Sequence, residues 1–501
     1  MNRDFPCTEA VGICGGKIVF AGSRAEARAL CSPSTEILDY GDAAILPGFI
    51  DTHVHVLPSG IFEDGVDLSE VKCLDELFFL LRQRAAQIEP GAWIFGTAFQ
   101  DKKILEKRFP TRKELDAVSS QNPIFICHND MHPFAFNSAA LELLKPDPND
   151  DGVETAPDGS LTGIITDPAC MPYMARILDL FPDEILLKGC KRIDEYAVSR
   201  GVTTVFGKDC LRVLKLREQH KEDFSVEFVP MWMSQGCDDE EGLNELIADP
   251  VLSKKACVCV FADGSFDCYS ASVSNPYEGR PTSFGMLLNT NEKLYQFLLK
   301  AHQNGLQISC HAIGDHAIEQ VLKVYEAIQK KAPRPDARMR IEHFEQPSKA
   351  SIKKAAELSV ALGMQPLLIE ICEGMDFSGY SCFIGERAKE CSPYRSILDA
   401  GILIGGGSDY PVTPLEILRG ARVCMQNPNP NERISLMECL ELNTVNAAKL
   451  GFLEHRKGMI APGMDADLVV LEKNPFAAAA DELDDIKIEA TYCGGKLAYE
   501  A

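Results

Sequence analysis

The sequence has no uninterrupted apolar run approaching the ~18 residues of a membrane helix, and its opening, MNRDFPCTEAVGIC, has no basic stretch followed by an apolar one. Neither a membrane span nor an export signal is therefore expected. Positive charge is scarce: 50 Lys and Arg stand against 74 Asp and Glu, a formal charge of −24. Such a surface repels phosphates and anionic lipid, so nucleic acid and membranes are not expected partners. No CxxC pair occurs among the 19 cysteines, which argues against a disulfide framework and for a reducing cytoplasm. Neither a GxGxxG nor a Walker pattern is present, and there is no internal repeat.

What is present is a globular composition, 46% hydrophobic and 25% charged over 501 residues, too long for one ordinary core unless the core is a large barrel. Short β-type runs occupy both ends, at 10–22, 466–472 and 489–500. Residues 1–46 and 456–501 are therefore expected to share one small β-sandwich domain. Between them, helical patterns alternate with eight apolar runs: AILPGFIDTHVH (44–55), GVTTVFG (201–207), SVEFVPMW (225–232), ACVCVFADGS (256–265), LQISCHAIGD (306–315), MRIEHFEQ (339–346), SVALGMQP (359–366) and ILIGGGSDYPV (402–412). That alternation predicts an α/β fold, a (β/α)8 TIM-like barrel over 47–455. The interval 63–200 is too long for one βα step and carries strand-like runs of its own, so it reads as an insertion over the barrel mouth.

The sharpest local feature is Asp51-Thr-His-Val-His55. Side chains two apart on a strand point the same way, so His53 and His55 present a pair of imidazoles, the pattern of a metal-binding strand. His311 and His343 end two further apolar runs, and Asp409 follows a third, where barrel enzymes place their working residues. Five such groups at strand ends point to a metal centre more than to structural polar filler. The Gly405-Gly406-Gly407-Ser408 run before Asp409 reads as a place of close backbone approach.

The runs LPGFIDTHVH, SCHAIGDHA, RIEHFEQ and GGSDYPV, with NAAKLG and KGMIAPGMDADLVVLE near the C-terminus, resemble the amidohydrolase superfamily and its YtcJ-like branch. The resemblance covers nearly the whole chain, and the stretch 111–141 resembles that branch's insertion. It implies a divalent metal, zinc before others, as one or two ions per chain, held by His53, His55, His311, His343 and Asp409. One position departs from the pattern. Where relatives carry a lysine in VK-x-FADGS, a bridging ligand once carbamylated, this chain has Cys259 in VCVFADGS, read either as a thiolate ligand or as a packed cysteine, with Asp263 as a fallback oxygen donor.

The chemistry so implied is hydrolysis of a C–N bond, amide-like and linear or cyclic, in a small molecule. Metal-activated water is the nucleophile, and Asp409 acts first as base and then as acid. Deamination of a heterocycle on the same parts is the alternative reading, and a metal-free scaffold protein of the same fold is the more distant one. Asp130, His132 and Asp315 are expected to contact substrate or support the ligands, with loop capping at His132 and helix N-capping at Asp315 as the plainer readings. The resemblance also implies a homodimer.

Overall fold

The computed structural model describes residues 7–56, 60, 65–129 and 131–501. Its centre is a parallel eight-stranded sheet in simple sequential order, here β1 (Phe49–Val54), β2 (Val202–Asp209), β3 (Glu227–Met233), β4 (Cys257–Phe261), β5 (Gln307–Ala312), β6 (Arg340–His343), β7 (Ala361–Met364) and β8 (Ile404–Gly406). The ends meet through a parallel bridge between Val54 and Tyr410, and the Asp409 N–H donates to the His53 carbonyl at 2.8 Å. The sheet is thereby closed into the expected barrel.

These strands form where apolar and β-branched residues run without alternation, since a parallel strand is covered on both faces. All eight residues of β2 are buried, Lys208 and Asp209 among them. The helices between strands are amphipathic. In Asp315–Lys331, Ala317, Ile318, Val321, Leu322, Tyr325 and Ile328 face inward at helical spacing, and they join one core cluster with Val258, Ile308 and Ile341 of the strands. Full burial of each large apolar side chain contributes roughly 1.5–3 kcal/mol, so this layer fixes the barrel on which the site rests.

The run 44–55, expected as one strand, is two. Ala44–Pro47 pairs with Leu468–Leu471 in a four-stranded antiparallel sheet with Ile488–Cys493 and Lys496–Glu500, whereas β1 enters the barrel. The break falls at Gly48, where an added Cβ would meet Thr203 side-chain atoms at 2.4 Å. An N-terminal hairpin, Ala10–Cys14 with Lys17–Gly22, packs Ile18 against Ala466, Leu468, Val470, Ala490 and Tyr492. Both chain ends thus contribute to one small β unit.

The insertion has its own mixed six-stranded sheet, from Val66–Asp67 through Ile94–Phe99, Ile124–His128, Phe134–Phe136 and Leu161–Ile165 to Val153–Thr155. The helix Asp183–Ser199 that follows packs on β2 and on the strands Ile488–Cys493 and Lys496–Glu500. Among the described residues no helix is long and apolar enough to cross a membrane.

Candidate active site

β1 and the loop after β8 bring the first histidines to the aspartate. His53 Nε2 and His55 Nε2 lie 2.9 and 3.1 Å from Asp409 Oδ1. Asp51 makes this approach possible, because its carboxylate accepts the backbone N–H of His53 and of Ser408 at 3.0 Å each. At Gly407 an added Cβ would lie 2.7 Å from His53 Cβ, which is the close approach read from the glycine run. His311 and His343 stand at the ends of β5 and β6 with ring centroids 4.5 Å apart, and His343 lies 5.1 Å from His53. His343 and Asp409 occupy the left-handed region, with φ of 71° and 60°, a cost that non-glycine residues carry chiefly where function requires the geometry.

The ligating atoms of His53, His343 and Asp409 all lie within 4.8 Å of one another, and all three residues are buried. His343 Nδ1 is buried with no hydrogen-bond partner among the described residues. An imidazole lone pair left unsatisfied beside a carboxylate suits a divalent cation, so the donor set fits a metal ion. Burial pushes the imidazole pKa down to about 4 at His55, to about 3 at His343 and well below the usual range at His311. These rings are therefore neutral near pH 7, the form that donates to a metal. Burial would raise the Asp409 carboxyl, but His53 and His55 reverse this and hold it well below the usual carboxylate range.

Several groups around this centre are not among the sequence-predicted site residues. Glu342 Oε2 accepts from His53 Nδ1 at 2.9 Å, while Arg340 and Ser309 Oγ hold the Glu342 carboxylate from behind. This carboxylate fixes the tautomer and orientation of His53. Lys208, wholly buried on β2, brings its Nζ to 3.0 Å from His53 Nε2. Lys208 stands just past the apolar run 201–207, and Glu342 lies within the run 339–346 beside His343.

Cys259 is fully buried among Ile50, Phe206, Met231 and Cys257, and it is outside the three-donor group. Both Asp263 oxygens are engaged by backbone N–H groups of Ile313, Ser272 and Gly314, so this residue holds loops together. Asp315 accepts from the Ser274 N–H and stands one residue inside its helix, whose N-cap is Gly314; it does not line the cavity. His132 does line the cavity, alongside His55, Lys208, Phe261, His311, His343 and Asp409, and its Nδ1 is 2.7 Å from Asp167 Oδ1. Asp130 lies outside the described residues.

A parallel barrel with buried imidazoles and a carboxylate gathered at its carboxyl end belongs to the class of barrel-borne metal-dependent hydrolases. The chain is a member of the amidohydrolase family, whose sequence profile matches residues 36–499. It is 28% identical to YtcJ of Bacillus subtilis, named as an amidohydrolase, over 98% of this chain and 96% of that one. It is also 28% identical to the N-substituted formamide deformylase of Arthrobacter pascens, over 99% and 95%. In fold it superposes on an uncharacterized metal-dependent hydrolase from Pyrococcus horikoshii with a TM-score of 0.77, at 24% identity and over 94% and 95% of the two chains.

Proposed function

We propose that the protein hydrolyses a C–N bond in a small amide-like substrate, and that His53, His55, His311, His343 and Asp409 hold one or two divalent ions, zinc first among them. The observation that carries this reading is the buried group of His53, His343 and Asp409, three donors facing one point. An ion held there would supply Lewis acidity, enough to bring the pKa of a water toward ~7. Asp409 takes the proton of the attacking water and returns it to the leaving nitrogen. Glu342 keeps His53 in place during both transfers. Met131, Phe261, Phe266, Ile313, Leu368 and Val412 give the cavity apolar walls, which favour an apolar substituent on the amide and limit stray water.

The kinship with a formamide deformylase makes N-substituted formamides the first substrates to try. The test is metal content by elemental analysis on protein purified without added metal or chelator, then amine release from N-substituted formamides and cyclic amides and ammonia release from amino-heterocycles. Amine release that follows metal content, with both lost in His55→Ala, is the expected result. Ammonia from a heterocycle would give deamination instead, and full metal content in His55→Ala would break the ligand assignment. A homodimer in a reducing cytoplasm completes the reading, and light scattering on the holoprotein tests the dimer.

A further inference from the structure

Two groups in the barrel interior that could accept a cation, His53 and Cys259, share one neighbour. The Lys208 Nζ lies 3.0 Å from His53 Nε2, interacts with the Cys259 thiol, and sits 5.3 Å from the centre of the Phe261 ring. Lys208 has no exposed surface. The register places Cys259 level with Ser309, two residues below the pair of Phe261 and His311, so the cysteine sits deeper in the barrel than the histidines. An ion shared by Cys259 and the histidines would have to occupy the space that the Lys208 amine fills. Nor is Glu342 available to offset a further dication, because Arg340 already pairs with it at 2.9 Å.

We propose that Lys208 stands where a second metal ion would otherwise sit, so that the centre takes one divalent ion per chain and Cys259 is not a ligand. This rests on the hydrolase reading above. Two metals in such a centre stand ~3.5–4 Å apart and need an anionic group between them. Here the deeper position is filled by the Lys208 side chain, fixed to the protein, with a thiol and an imidazole as its neighbours. Lys208 thus sets the stoichiometry and, through its contact with His53, keeps the remaining ion on the His343 and Asp409 side.

The experiment is elemental analysis of the wild-type holoprotein, Lys208→Ala, Cys259→Ser and the double variant, each folded by circular dichroism, with cobalt(II) replacing the native ion as an optical probe. The expected results are one equivalent in the wild type, one in Cys259→Ser and two in Lys208→Ala. A thiolate-to-cobalt absorption band should appear in Lys208→Ala and vanish in the double variant. Should Lys208→Ala fail to fold, Cys259→Ser still decides: a fall in its metal content overturns the proposal. Two equivalents in the wild type, one in folded Lys208→Ala, or the mass of a carbon dioxide added to Lys208 in the native chain would each overturn it and leave the hydrolase reading intact. Wild-type protein that takes up no metal even on reconstitution would sink both.

Discussion

The two ends of the barrel both gather charge, and they use it in opposite ways. At the amino end, Arg456 and Lys457 meet Glu227, Asp465 and Asp467, with Arg456 Nη1 2.8 Å from Glu227 and 2.6 Å from Asp465, and Lys457 Nζ 3.1 Å from Glu227. Each cation there is surrounded by carboxylates, and the cluster ties β3 to the small β unit. At the carboxyl end, His53, His55, His343 and Asp409 point at a common centre, and His343 Nδ1 has no hydrogen-bond partner among the described residues. Saturated charge holds pieces of the fold together, whereas convergent, unsaturated charge marks the place where a ligand completes the network.

Asp409→Asn should break the comparison most sharply: kcat is expected to fall by ~10²–10⁴, the span of a lost acid–base group, with most of the metal retained by elemental analysis. Lys457→Met tests the other end. Removing a 5% exposed ammonium from three carboxylates should cost about 3 kcal/mol of stability in denaturant titrations, while KM and metal content hold. A change in KM with no loss of stability would reverse the roles assigned to the two ends.

Glu373, after β7 at the mouth end, refines the contrast through pH. Burial raises its carboxyl to about 7, against the opposing pull of the Ser392 hydroxyl that it accepts from. A folded-state pKa above the unfolded one means that the folded chain holds the proton more tightly. Its contribution is therefore full below pH ~4.5 and is lost as pH rises to about 7, by about 3 kcal/mol in all. In Glu373→Gln that decline should disappear from melting curves taken across pH 4.5–8; an unchanged decline would assign it to another group. The smallest effect is expected at Glu342→Gln, which loosens His53: metal affinity should drop by ~10–100-fold in chelator competition, with the melting temperature of the metal-free protein little changed.

All eight barrel strands were legible, because buried parallel strands are continuous apolar runs and little else in a chain resembles them. The five donors read from strand ends gather at the barrel's carboxyl end for the same reason, position on a strand being a strong geometric constraint. Lys208 escaped because the second run is naturally cut at Gly207, two residues before the strand ends at Asp209. Glu342 was hidden by its neighbour: in RIEH the histidine draws the eye, yet the glutamate orients a histidine 289 residues away. Such partnerships follow from three-dimensional register, which a single sequence does not encode locally. The pairing of His132 with Asp167 across 35 residues is of the same kind.

The barrel seam bears on how the protein is made. Asp51 and Ser408, bonded across that seam, are 357 residues apart, and the His53 carbonyl accepts from the Asp409 N–H beside them. During synthesis the first two histidines leave the ribosome long before the aspartate they must meet. Until β8 docks against β1, the nascent chain has only part of the proposed ligand set and an open sheet edge. Closing so distant a contact is slow, and an unpaired edge invites wrong partners in the meantime. On the proposed ligand set, metal capture would therefore wait for the last strand to arrive.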